Sequence, residues 1–136
     1  MSDYKLKIQT PDEAETVFYE AFMHGDKEVM KALWAEADTV CVHPGSDIIY
    51  GYAAVVRSWQ HILSSSRSSQ VRYSVNNKTV SGDLAVHMVT EEILENNIIM
   101  ATVIATNVYQ KFEQGWLMTG HHGSLVQTKT RNETLQ

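Results

Sequence analysis

The sequence predicts an α+β domain: three N-terminal helices packed on a strongly curved antiparallel sheet, a conical fold with an internal pocket. Three observations predict it. Apolar residues recur at helical spacing only in the first half of the chain, between Ala14 and Leu63. From Gln70 onward, alternating and β-branched runs take over. Short polar turns separate those later runs, so neighbours join as antiparallel hairpins. A bent sheet closed on one side by helices encloses a hollow, where ligands usually sit.

The first helix begins at Thr10, a capping residue, with Pro11 at the first helical position and acidic Asp12 and Glu13 in the first turn. Glu13 stands three residues after Thr10, the spacing of a capping box. Ala14, Val17, Phe18, Ala21 and Phe22 form its apolar stripe, and Gly25 ends it. Asp26 caps a second helix carrying Val29, Met30, Leu33 and Trp34. Two short strands come next, "TVCVHPG", stopped by Pro44, and "DIIYG". "YAAVVRSWQHILSSS" is the third helix, with Val55, Val56, Trp59, Ile62 and Leu63 inward, and "SSSRSS" is a polar loop. Four long strands complete the fold, with hairpin turns at Asn96-Asn97 and at Glu113-Gln114-Gly115. Residues 1–9 read as an N-terminal extension, 10–128 as the domain, and 129–136 as a polar tail.

The 136 residues suit one domain with a core large enough to fold without disulfides. Lys and Arg number 11 against 16 Asp and Glu, a net charge of −5, and no basic patch forms. Nucleic acid is therefore not an expected partner. The N-terminus lacks a signal-like apolar stretch, and no run reaches the roughly 20 apolar residues that span a bilayer. A soluble cytoplasmic protein with no membrane partner is expected. The single cysteine, Cys41, lies in an apolar strand pattern and reads as a buried thiol.

Two segments place chemistry near strand ends: "VCVHPG" at Val40 to Gly45 and "TGHHGS" at Thr119 to Ser124. An imidazole titrates near neutral pH, so His43 is a candidate general base, set against a strand-end histidine held by a backbone carbonyl. Adjacent strand residues face opposite sides, so only one of His121 and His122 enters the hollow. If Trp116 and Met118 define the inner face, His122 shares it. Asn107 is either an amide donor to a ligand oxygen or a buried amide that pins sheet register. Tyr19 is either a pocket donor or a surface aromatic. Phe18, Trp34 and Trp59 lie on apolar stripes and would wall the pocket. A metal would need three or four ligands, drawn from His43, His122, Cys41 and Glu91. No paired-ligand spacing is present, so neither metal nor cofactor is expected. His24, His61 and His87 carry no functional argument.

The words "FYEAFMHGDKEVMKALWAE", "VCVHPG", "YGYAAVVRSWQHIL" and "ATNVYQKFEQGWLMTGHHGS", in that order between Thr10 and Gln127, carry a resemblance. The chain resembles the nuclear-transport-factor-2-like superfamily in its SnoaL-like, ketosteroid-isomerase-related branch. The resemblance implies a conical fold, a pocket between helices and sheet, and a homodimer formed through the sheet. That superfamily hosts isomerases, cyclases, dehydratases and non-catalytic assembly domains, so fold alone does not assign function. Its steroid isomerases use an Asp base and an oxyanion hole of Tyr and protonated Asp. Those positions fall here on His43, on Phe18 beside Tyr19, and on Asn107. None matches in type, so standard ketosteroid isomerase chemistry is not expected. The ending "W-L-x-x-x-x-H-x-S" is similar to that of calcium/calmodulin-dependent kinase association domains and again singles out His122. The expectation is a domain binding a small apolar organic ligand between Phe18, Trp34, Trp59 and His122. As an enzyme it would be an isomerase, cyclase or dehydratase with His43 as base and Asn107 and Tyr19 stabilising negative charge. The alternative is a non-catalytic oligomerisation module.

Overall fold

The computed structural model describes residues 5–64 and 70–127. The loop expected after Ser64 and the tail expected from residue 129 lie outside the described residues. Three helices, α1 (Pro11–His24), α2 (Lys27–Leu33) and α3 (Tyr52–Ser64), pack on a six-stranded sheet. Its strands are β1 (Val40–Val42), β2 (Ile48–Tyr50), β3 (Gln70–Ser81), β4 (Leu84–Glu95), β5 (Ile98–Phe112) and β6 (Gly115–Leu125). Their order is β2-β1-β6-β5-β4-β3, which leaves the sheet open at both edges. Among the described residues no helix is long and apolar enough to cross a membrane.

The expected all-antiparallel sheet is corrected at one pair: β1 and β6 run parallel. Parallel neighbours need a long crossover, and α3 with the β3–β5 meander supplies it. The other pairs are antiparallel, joined by the tight turns the sequence implies. Asn96 and Asn97 both take positive φ, 52° and 66°, the left-handed pair that a tight β4–β5 hairpin requires. Between β1 and β2, Ser46 N–H donates to the His43 carbonyl at 2.9 Å, and Gly45 has φ of 80°. His43-Pro44-Gly45-Ser46 thus has Pro and Gly where a type II turn places them.

The helix ends reflect local chemistry. Thr10 Oγ1 accepts from Glu13 N–H at 3.0 Å, while the Glu13 carboxylate reaches past Thr10 to accept from Gln9 N–H at 2.8 Å. The capping box therefore closes one residue earlier than its usual form. Gly25, at φ 65°, ends α1, and Asp26 Oδ1 accepts from Val29 N–H at 3.1 Å to start α2. Phe18, Tyr19, Leu33, Trp34, Trp59, Val89, Tyr109 and Met118 fill the core between helices and sheet.

Two features of β6 set the facing and the anchoring of its side chains. Val108 pairs with Gly120 but Tyr109 pairs with Met118, so Thr119 is an extra residue, a β-bulge. At the start of the strand, Trp116 N–H donates to the Ile8 carbonyl at 2.9 Å, which ties the segment ahead of α1 to the sheet. Ile8 itself is buried.

A Cβ added at Gly115, where φ is 128°, would lie 2.5 Å from the Ile8 carbonyl oxygen. At Gly82, φ is 59° and nothing lies within 4 Å. Gly115→Ala should lower the unfolding free energy by about 2–3 kcal/mol and Gly82→Ala by about 1 kcal/mol, read from urea denaturation. Equal losses at the two sites would show that the Ile8 contact yields freely.

Candidate functional site

One cross-strand row collects the buried polar chemistry. Cys41 on β1 pairs with His121 on β6, His121 with Asn107 on β5, and Asn107 with His87 on β4. All four are buried and face the helices. Two residues along the same face of β4 from Val89 stands Glu91, also buried.

A continuous hydrogen-bond chain runs from Glu91 to His121. Tyr19 Oη donates to Glu91 Oε2 at 2.6 Å, and Asn107 Nδ2 donates to the Tyr19 oxygen at 3.0 Å. Asn107 Oδ1 then lies 2.6 Å from His121 Nδ1. An ionised carboxylate only accepts, which forces the sense of every link. Tyr19 donates outward, its oxygen accepts from the amide, and the amide oxygen faces His121 Nδ1. His121 Nε2 makes no hydrogen bond to a described residue. Tyr19 is held for this role by stacking on Tyr73, with ring centroids 4.1 Å apart.

His43 comes to the same place from β1. Its Nε2 lies 2.9 Å from Ser58 Oγ, whose own hydrogen goes to the Val55 carbonyl at 2.8 Å. Ser58 is therefore the acceptor, and His43 carries its proton on Nε2. The two imidazoles have ring centroids 6.4 Å apart, with Trp59 beside both, at 4.9 Å from His43 and 5.6 Å from His121. Phe18 closes on His121 at 5.3 Å, and the Cys41 sulfur lies 3.6 Å from His43 Nε2. His43 is half-buried, so it is the member of the pair nearest solvent.

Burial governs the titration of this group. His121 is lowered to about 3, first by burial and then by the His43 and His122 charges. Burial also lowers His43 and pushes the Cys41 thiol up to about 12, the Trp59 indole acting the other way on the thiol. Glu91 rises to about 7 through burial, reinforced by Glu15 and opposed by the Tyr19 hydrogen bond. Tyr19 is raised by burial and by the Glu91 charge, so it keeps its proton. Near neutral pH the pair is two uncharged imidazoles.

The structure gathers Tyr19, His43, Asn107, Phe18 and Trp59 as a group. It corrects two placements. His122 is exposed on the other face, and His121 is the interior histidine. The reason is the Thr119 bulge, which inverts the alternation after Met118. Trp34 ends α2, bridges to Met118 and lines a separate cleft of about 490 Å³ with Lys5, Glu28, Lys31, Tyr52 and Phe112. A second cleft, of about 380 Å³, lies at Met23, Arg72 and Leu94. Neither is lined by an imidazole of the pair. Asn107 and Tyr19 direct donors to protein acceptors, an arrangement that orients His121.

Sequence reasoning missed a second buried cluster. Glu15 Oε1 lies 3.0 Å from His87 Nδ1, and its Oε2 accepts from Tyr109 Oη at 3.2 Å. At its outer edge Asp12 pairs with Lys78 at 2.8 Å. The signal was present: Glu15 is four residues before Tyr19 on α1, and His87 has the parity of Val89. Among the described residues no group of three His, Cys, Asp or Glu side chains is arranged to hold a metal ion.

The sequence profile of the SnoaL-like domain matches residues 12–128. A structure named as a calcium/calmodulin-dependent protein kinase type II association domain, from Thiobacillus denitrificans ATCC 25259, superposes with a TM-score of 0.85 at 28% identity. The match covers 90% of this chain and 100% of that one. A structure named as a dehydratase of the nuclear transport factor 2-like family, from Streptomyces avermitilis, gives 0.74 at 31% identity, over 88% and 100%. A ketosteroid isomerase-like protein from Erwinia carotovora atroseptica SCRI1043 shares the fold, at 0.70 and 16% identity over 86% and 94%. No curated protein matches the chain significantly.

Glu91 and His121 act on stability in opposite senses. Glu91 binds its proton more tightly folded than unfolded, so its contribution is full below 4.5 and lost as pH rises to about 7. His121 is held neutral, so its contribution is full above 6.5 and lost as pH falls to about 3. Between 4.5 and 6.5 the two slopes cancel. Glu91→Gln should expose the His121 limb, with unfolding free energy rising by about 1.4 kcal/mol per pH unit in that window. Above pH 7 the variant should exceed the wild type by about 3 kcal/mol. Denaturation across a pH series reads both, and parallel curves for the two proteins would refute the pairing.

Proposed function

Because the chain belongs to the SnoaL-like domain family, we propose that it is a cytoplasmic small-molecule-binding domain whose chemistry is proton transfer. The ligand is a small apolar organic molecule in the hollow of a cone, walled by Phe18 and Trp59 between the helices and a curved sheet. The reaction class is isomerisation, cyclisation or dehydration. His43, open to solvent on one side, is the general base that exchanges its proton with water. His121, held at about 3 by burial and so a poor base, orients the ligand through Nε2. One observation carries this reading: a buried imidazole fixed through Nδ1, its other nitrogen without a hydrogen bond to a described residue, beside a second, half-buried imidazole. The likeness, at 31% identity, to a structure named as a dehydratase supports the class of reaction.

The partner in this reading is a second copy bound through the outer face of the sheet, where Ile104 is exposed. A second reading, the oligomerisation module, is favoured by two observations. The chain's own rings fill the space around His121, and the likeness to a kinase association domain extends over 90% of the chain.

Native mass spectrometry of protein from its source separates the readings. A dimer retaining a small organic molecule, lost in His121→Ala and in His43→Ala, is the expected result. A ligand-free assembly larger than a dimer would establish the module instead. Ile104→Lys should convert the dimer to monomer in the same spectra.

A further inference from the structure

The Glu91–Tyr19–Asn107–His121 chain has a direction, and its far end sets that direction. Its links are 2.6, 3.0 and 2.6 Å, all within hydrogen-bonding distance, and Tyr19, Glu91, Asn107 and His121 are each at most 5% exposed. Water therefore has little opportunity to reset the sense of an inner link. We propose that Glu91 is a positioning residue for His121: acting through Tyr19 and Asn107, its carboxylate holds the ring in the Nδ1–H tautomer, so that the interior site presents a bare Nε2.

The opposite state is equally complete. A protonated Glu91 donates to Tyr19, Tyr19 donates to the amide oxygen, and the Asn107 amide turns over to offer Nδ2–H to Nδ1. The ring then releases its Nδ1 proton to solvent and takes one on Nε2. The chain as a whole has gained one proton, the one on Glu91. Glu91 is placed to make this exchange near neutral pH, being raised to about 7. The groups around it are Tyr19 and Glu15 from α1 and Tyr73 opposite on β3. Around His121 stand Phe18 from α1, Trp59 from α3, the Cys41 thiol opposite on β1, His43, and its neighbour His122.

The consequence for ligand class rests on the proton-transfer function proposed for this site. With Glu91 ionised, the site takes a group that brings a hydrogen to Nε2, a hydroxyl or a C–H beside a carbonyl. With Glu91 protonated, the same ring nitrogen is a donor and suits a carbonyl oxygen. The tautomer itself does not depend on that function, and its test needs no ligand.

Long-range ¹H–¹⁵N spectra of the ligand-free chain report each histidine's tautomer, with the His121 signals assigned by their loss in His121→Gln. Above the Glu91 midpoint of about 7, His121 should show the Nδ1–H pattern, and below it the pattern should pass to Nε2–H. Glu91→Gln should remove the pH dependence. Tyr19→Phe, which cuts the chain without touching either end, should uncouple the ring from Glu91 and leave mixed tautomers. An Nε2–H ring above the midpoint overturns the proposal. So does a tautomer that changes with the same midpoint in Glu91→Gln or Tyr19→Phe.

Discussion

A carboxylate buried between a helix and a sheet must find a donor, and here that requirement organises the interior. Glu91 has the Tyr19 hydroxyl, which brings α1 into register against β4, and Asn107 fastens the same hydroxyl to β5. His121 then joins β6 to the set. Leaving one of these groups unpaired costs about 1–3 kcal/mol, so the chain acts as a unit and fixes how α1 sits on three strands. The Glu15 cluster repeats the principle one turn earlier on α1, joining it to His87 and Tyr109.

The same arrangement bears on reactivity. Neutral imidazoles stand on either side of Trp59, one nearer solvent and one buried. Such a pair suits moving a proton within an apolar ligand better than holding an anion, because burial disfavours the charged form of each ring. Sealing also has a cost for ligand entry. The aromatic rings now packed on His121 must give way before a ligand of any size can reach it.

Much of the fold was legible in the sequence because its signals are local. Thr10 and Gly25 mark the ends of α1 through chemistry within a few residues, and Asn96-Asn97 marks a hairpin that only left-handed residues close. The parallel partnership of β1 and β6 was not legible, since it joins segments separated by most of the chain. The site was legible in its members and less so in its geometry. Alternation predicts facing only while pairing stays regular, and one inserted residue at Thr119 exchanged the roles of His121 and His122. Hydropathy likewise treats Glu15 and His87 as surface groups, whereas inside the fold Glu15 accepts from the Tyr109 hydroxyl and lies against the His87 ring.

The tie between Ile8 and Trp116 reaches beyond stability. Lys5 and Leu6, just upstream, already border the cleft that contains Trp34. The hydrogen bond that anchors Ile8 to β6 therefore also holds one wall of that cleft, so loosening the strand pairing at Trp116 would alter the shape of the Trp34 surface.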